Sequence, residues 1–488
     1  MKTLFYSINT LTSTPNYGAE LELMHNCIEA GDEVYIIHCQ GELLSCHVNQ
    51  PHLKSTCLRC IAKFQSGSRL LHLPAERFLK INTAYDFSLL PQHFDSIQSL
   101  IDYQIDGVDL GESVASSLTT ELKDYKFSTI EHQDKILKKL KMAYSVYRSF
   151  SEHVDAIQPD QVYLFNGRLA ESRPVVRVCQ QRKIPVYIIE RVENFGHYSI
   201  TKDCLEHELA FIKKETRDLW TESTLNLEDK ETLGSKWFIE KRNRVVQAFT
   251  PFAGNQDIGL LPDGFDIHKK NIGIFISSEY EFSTFADWKN PLYRDQSDAI
   301  EKLAKSLLDN PSIHFWVRIH PYLIKNPKNS QTLELKALDQ LQWSNLSFIW
   351  ADSRVDTYGL MDACEQVITF GSSVGAEATY WEKASILLGH GPYEELDCCY
   401  EPASHEEAVS LIQSDLSPKS KIGAIQYGYR VTARGTPYRK FKMHTLESGD
   451  FLGVPIVDKP RGFLPMLHYQ TWRKIDKYKN SYDKRMKK

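Results

Sequence analysis

Between Lys270 and Leu388 short apolar runs alternate with amphipathic stretches, and this alternation constrains the fold more than any other feature of the chain. The apolar runs cover 270–276, 313–319, 346–350, 366–370 and 384–388, and helical patterns are expected at 295–309, 330–341, 355–364 and 374–382. Strands separated by helices imply a parallel, doubly wound α/β sheet. The first residues repeat the pattern. A strand over 3–9, a loop over 10–17, a helix over 18–30 with Leu21, Met24 and Ile28 on one face, and a strand over 33–38 make a βαβ opening. Further strands are expected at 161–165 and 184–189, with largely helical stretches at 75–158 and 205–248.

At 488 residues the chain suggests about two to three domains. The Gly-, Pro- and Asp-rich stretch 252–264 places a boundary near 265. The expected division is an N-terminal Rossmann-like domain with a helical insertion (1–265), a C-terminal Rossmann-like domain (266–435) and a helical extension (436–488). Net charge of −5 gives no electrostatic case for nucleic acid. No run approaches the roughly 18 apolar residues of a membrane span. The N-terminus reads as a core strand and the chain as cytoplasmic. Its basic tail (Lys474, Lys477, Lys479, Lys484, Arg485, Lys487, Lys488) leaves peripheral contact with the inner membrane open beside the plainer reading of a solvated terminus.

Polar groups collect where the strands end, which is where open parallel sheets bind ligands. Ser277-Ser278 follow the 270–276 run, Arg318-Ile319-His320-Pro321 close the 313–319 run, and Gly371-Ser372-Ser373 lead from the 366–370 run into a helix carrying Glu377. Hydroxyls, backbone N–H groups and a helix start suit an anion. A carboxylate one turn further suits the hydroxyls of a ribose or sugar. Together they suggest a nucleotide-sugar site, although Ser-Ser at a helix start is more often a plain N-cap.

His320-Pro321, Ser372-Ser373 and Glu377, with Lys383-Ala384-Ser385-Ile386-Leu387-Leu388-Gly389 and Tyr393, resemble the capsule polysaccharide biosynthesis family, which includes Kdo transferases. Bacterial sialyltransferases of GT-B type carry a similar His-Pro and Ser-Ser pair. The resemblance covers about Lys270 to Glu401. It implies a GT-B fold, two doubly wound domains facing a cleft, with the donor on the second domain and the acceptor on the first. It implies that His320, beside Arg318, hydrogen-bonds the donor phosphate, that Ser277, Ser278, Ser372 and Ser373 contact phosphate or sugar, and that Glu377 takes the ribose hydroxyls. The N-terminal half does not match the Kdo-transferase acidic motif.

The implied activity is transfer of a sugar, hexosyl, Kdo or sialyl, from a CMP- or UDP-linked donor to a glycan or lipid-linked glycan acceptor in bacterial surface polysaccharide synthesis. A sugar-nucleotide epimerase and a non-catalytic glycan-binding or export-assembly protein are the alternatives. No catalytic metal is expected, because polarised backbone and His320 suit a departing phosphate. A general base must come from the first domain, where Glu20, Glu22, Glu190 and Glu193 are candidates. Asn166 and Arg168 are acceptor-side candidates. Four of the 10 cysteines, Cys39, Cys46, Cys57 and Cys60, lie within 22 residues and include one C-x2-C pair. They suggest a structural zinc site, although the spacing of the first pair is wide. Cys398-Cys399 reads as buried core.

Overall fold

The computed structural model describes residues 1–194, 196–245, 254–320 and 333–486. Pro321, Lys487, Lys488, residues 246–253 of the expected helix and linker, and the start of the 330–341 helix lie outside them. The chain forms two units. Met1–Glu121, Ser128–Glu206 and Gly435–Lys488 make the first, and Leu122–Phe127 with His207–Arg434 the second. Both are Rossmann-like α/β units, the fold class expected. The division differs from the expected boundary near 265. Helices Leu209–Glu222 and Leu227–Arg242 belong to the second unit, held there in part by Arg430 and Arg434 on Glu215. Residues from 435 onward return to the first.

The first unit is built on strands β1 (Lys2–Ser7), β2 (Glu33–His38), β3 (Phe78–Lys80), β4 (Gln161–Phe165), β5 (Val186–Arg191) and β6 (His197–Lys202). From one edge the order is β6-β5-β4-β1-β2-β3. β1 through β5 pair in parallel, and β6 runs antiparallel to β5. A two-residue strand, Thr436–Pro437, extends the β6 edge. The chain reverses its progress across the sheet between β1 and β4, which opens a crevice at their carboxyl ends.

The region from 436, expected to be a helical extension, opens instead with a three-stranded antiparallel sheet (Phe441–Thr445, Ser448–Phe451, Val454–Pro455) before its helix. Phe441 and Phe451 bury their rings against Tyr17, Leu21 and Met24 of the helix Thr14–Glu29. That helix starts four residues earlier than its apolar pattern suggested. Ser13 caps it by accepting the Asn16 N–H at 3.2 Å, and Pro15 fits its first turn. Residues 14–17 of the expected loop 10–17 are therefore helical.

The second unit carries β7 (Lys270–Phe275), β8 (Ile313–Arg318), β9 (Leu346–Ile349), β10 (Gln366–Thr369) and β11 (Ala384–Leu387) in the order β11-β10-β7-β8-β9, all parallel. Ile272, Ile274, Phe315, Val317, Ile368 and Ile386 are fully or almost fully buried. Strands covered on both faces read as near-continuous apolar runs, which is why they were visible in the sequence. Here the reversal falls between β7 and β10.

Candidate functional site

At the carboxyl edge of the second sheet the polar groups gather as expected, but their partners divide them into two kinds. Ser277 is consumed by the scaffold. Its N–H donates to Gln296 Oε1 at 2.8 Å, its carbonyl accepts from Gln296 Nε2 at 3.1 Å, and its hydroxyl donates to the Phe370 carbonyl at 3.3 Å. It ties the ends of β7 and β10 together rather than facing a ligand. The half-buried Ser278 next to it makes no side-chain hydrogen bond among the described residues.

The Gly371-Ser372-Ser373 turn is shaped by its neighbours. Gly371 has φ +110°, and a Cβ there would lie 2.4 Å from the His390 carbonyl oxygen. Only glycine fits such a position without displacement of backbone. A Cβ added at Gly375 would meet the Tyr393 hydroxyl at 2.2 Å, and that hydroxyl donates to the Ser372 carbonyl at 2.6 Å. The turn is thus clamped by Tyr393, while among the described residues the Ser372 hydroxyl makes only a long contact, 3.4 Å, with the Val374 N–H.

Ser373 does not cap the short helix Val374–Tyr380. Its hydroxyl donates to Glu377 Oε1 at 2.9 Å. Lys241 Nζ donates to both Ser373 Oγ and Glu377 Oε1 at 2.6 Å, and Tyr358 donates to Glu377 Oε2 at 2.5 Å. Glu377, expected to take ribose hydroxyls, is buried and engaged through both oxygens. Burial and the Glu377 charge push the Tyr358 phenol far up. Lys241, stacked 4.6 Å from the Trp237 ring, was invisible as a site residue, being one lysine among many in a charged helix more than a hundred residues away in sequence.

His320 sits just beyond β8. Burial, together with Lys241, Arg318 and Lys123, lowers its pKa from 6.5 to about 4, so the imidazole is neutral at pH 7. Arg318 is buried and turned towards the segment after β9, where it donates to the carbonyls of Trp350 at 2.8 Å and Ser353 at 3.4 Å. Its buried Nε–H has no hydrogen-bond partner among the described residues. Burial brings its pKa down to about 10. At this edge Lys241 is paired with Glu377 and Arg318 lies in the field of Asp352 and Asp356, around a neutral imidazole.

In the first unit the carboxyl edge assembles acids. Asn166, at φ +69° after β4, donates to Glu190 Oε1 at 2.7 Å and accepts the Arg168 N–H at 3.3 Å. Burial and the Glu206 carboxylate raise Glu190 to about 8. Arg168 reaches the Ser116 hydroxyl at 3.5 Å. Glu20 is buried, accepts a hydrogen bond from Ser7 at the end of β1, and is also raised by burial to about 8. Sequence reasoning missed Glu171, which joins the two strand ends at the reversal. Its Oε1 takes Asn9 Nδ2 at 2.9 Å and the His47 N–H at 2.7 Å.

Two acids play other parts. Glu22 accepts the N–H groups of Arg439, Lys440 and Phe441 at 2.8–3.0 Å, which makes it a structural clamp rather than a base. Glu193 interacts electrostatically with Arg191.

The four clustered cysteines sit in different local settings. Cys57 and Cys60 lie in the helix Lys54–Ser68 rather than on a metal knuckle. Cys57 Sγ accepts from Asn49 Nδ2 at 3.2 Å, Cys60 Sγ lies 3.2 Å from Thr10 Oγ1, and Cys39 Sγ accepts the Gly41 N–H at 3.3 Å. Burial pushes Cys39 up to about 12 and raises Cys46 and Cys57. Among the described residues no group of three or more His, Cys, Asp or Glu side chains is arranged to hold a metal ion. Cys398 and Cys399 are buried, as expected.

No family model matches the chain, and no curated protein matches it in sequence. Solved structures overlap it shallowly. The beta Kdo 2,4 transferase KpsC of Thermosulfurimonas dismutans matches with TM-score 0.37 and 10% identity, over 55% of this chain and 79% of that one. UDP-GlcNAc 2-epimerase from Neisseria meningitidis, bound to UDP-GlcNAc, matches with TM-score 0.22 and 11% identity over 90% and 95%. The calicheamicin glycosyltransferase CalG4 matches with TM-score 0.26 and 10% identity over 89% and 94%. With overlaps of this depth, chemistry has to be read from the chain's own side chains.

Proposed function

We propose that this chain is a GT-B glycosyltransferase that moves a sugar from a CMP- or UDP-linked donor to a glycan or lipid-linked glycan acceptor in bacterial surface polysaccharide synthesis. The supporting observation is the environment of His320. Burial, with Lys241, Arg318 and Lys123 around it, keeps the imidazole neutral beyond the end of β8, and the strands bordering the reversal, β7 and β10, lead into Ser278 and Ser372. A phosphate is a ligand class that cations, hydroxyls and a ring N–H can hold together, and strand ends at a reversal are where nucleotides bind in open α/β sheets.

In the proposed reaction the bond between the anomeric carbon and the donor phosphate breaks, and its electron pair leaves on the phosphate. Ser278 and Ser372 donate to that phosphate, and the His320 ring N–H stabilises the charge as it develops. The acceptor oxygen forms the new bond to the anomeric carbon and gives its proton to Glu190. Burial raises both Glu190 and Glu20 to about 8, but Glu190 is partly exposed and held by Asn166 while Glu20 is buried against Ser7, so Glu190 is the base an acceptor can reach.

The test is thermal-shift screening with CMP, UDP, GDP, ADP and dTDP, followed by product analysis with and without a glycan acceptor. One nucleotide at about 100 times its Kd should stabilise the chain by about 2.7 kcal/mol. A product formed from donor alone with inverted sugar stereochemistry would identify an epimerase. No nucleotide response would leave only the non-catalytic reading.

A further inference from the structure

The helix Phe463–Met486 has two faces, and only one is used by the fold. Tyr469 and Asp476 are buried, with Met466 and Trp472 half-buried, at spacings of three, three and four residues. Asp476 Oδ2 accepts the Ser55 N–H at 2.8 Å at the start of the helix Lys54–Ser68. The opposite face carries Leu464, Leu467, Ile475 and Tyr478, with Thr471 between them bonded to the Leu467 carbonyl, and so forms a second, largely apolar stripe turned to solvent. Phe463 is 80% exposed, Leu464 73% and Tyr478 75%. Exposed single apolar residues are ordinary, but a contiguous row marks an interaction surface.

We infer that this outward face docks on an anionic lipid bilayer. The charge beside the stripe selects that occupant. Arg473, Lys474, Lys477 and Lys479 are exposed next to it, and Lys484 and Arg485 follow in sequence. Over the same stretch the acids are Asp476, already turned inward on Ser55, and Asp483. A second copy of the helix would bring lysine rows against lysine rows, which opposes self-pairing. An anionic surface attracts each of those charges, and the Leu, Ile and Tyr side chains enter the boundary between headgroups and acyl chains. No helix of the described residues is long and apolar enough to cross a membrane, so this one lies on the surface instead. The inference stands apart from the nucleotide site and does not depend on it.

The experiment is flotation of the full chain with vesicles of phosphatidylcholine alone and of phosphatidylcholine mixed with phosphatidylglycerol. The chain should float with the mixed vesicles and not with the neutral ones, and added salt should weaken the association. Lys474→Glu with Lys477→Glu should reduce partitioning by on the order of tenfold or more. Leu464→Asp with Leu467→Asp should reduce it comparably. All four positions are exposed, and unchanged circular dichroism and melting confirm that the variants fold. Three outcomes overturn the inference: no flotation with phosphatidylglycerol vesicles, flotation that survives both double substitutions, or a mass doubling abolished by Leu464→Asp with Leu467→Asp in a chain that ignores vesicles.

Discussion

The Tyr358 hydroxyl donates to Glu377 at 2.5 Å, and this bond fixes a carboxylate whose other oxygen is shared by Lys241 and Ser373. The serine of the strand-end motif is therefore oriented by an ammonium from a distant helix and a phenol from a neighbouring one.

Removing that ammonium tests the arrangement. Lys241→Met leaves Glu377 buried without its counter-charge. The ammonium is partly solvated, so the loss should be about 1–3 kcal/mol, read from urea unfolding. Nucleotide affinity should fall as well, because Ser373 loses its anchor. Glu377→Gln with Lys241→Met should recover part of the stability, and failure to recover any would show that the two side chains are not coupled.

His320 predicts a pH signature. Its pKa is about 4 in the folded chain against an ordinary 6.5, so the unfolded chain binds more protons between those values. Its contribution to stability is present above about pH 6.5 and is lost as pH falls towards 4. His320→Asn should flatten that part of the stability profile. A bound phosphate raises the imidazole pKa, so nucleotide affinity should strengthen as pH falls below neutrality. Calorimetry in two buffers of different ionisation enthalpy should detect proton uptake that the variant lacks.

Glu190 shifts in the opposite direction. Its folded pKa of about 8 exceeds the ordinary 4.5, so the folded chain holds the extra proton and stability declines as pH rises between those values. Glu190→Gln should remove this decline in melting scans from pH 5 to pH 8.5. Transfer activity should drop by roughly 10²–10⁴, the range for losing a general base. A variant that keeps full turnover would move the base elsewhere, with Glu20 next in line.

Glu22→Ala should act on stability alone. Three backbone donors at residues 439–441 would lose their acceptor, at a cost on the order of 3 kcal/mol, visible as a lower melting temperature. Nucleotide affinity of the folded fraction should match the parent chain.

Cys57→Ser offers a contrasting control. Its thiol meets Asn49 across 3.2 Å and belongs to no metal-holding group among the described residues. Elemental analysis of the purified chain should find well under one zinc per chain, and the substitution should change stability by less than about 1 kcal/mol.

Much of the second unit was legible because buried parallel strands leave unbroken apolar runs and because the small and polar residues at their ends stand out beside them. Ser278, His320, Ser372 and Glu377 were singled out that way. What the strand-end pattern does not carry is the partner of each residue. Ser277 looks like Ser278 in sequence, yet Gln296 occupies its backbone groups. Lys241 and Glu171 are charged residues of ordinary spacing whose meaning comes only from contacts across long stretches of chain. C-x2-C spacing suits a helix turn as readily as a knuckle, and Cys57 and Cys60 lie in the helix Lys54–Ser68. The residues after 435 were hardest to place, since a short hairpin sheet has a weak pattern and its docking partner is the first helix of the chain.

That return of the chain has a consequence for how the protein is made. The edge strand Thr436–Pro437, the N–H groups that Glu22 accepts, and the helix resting on Ser55 are all synthesised after the entire His207–Arg434 segment. The second unit can close while still near the ribosome. The first must hold an open sheet edge and an uncovered helix face until its last pieces emerge. At roughly 5–20 residues per second that interval is on the order of tens of seconds, long enough for the nascent first unit to be a client of a chaperone.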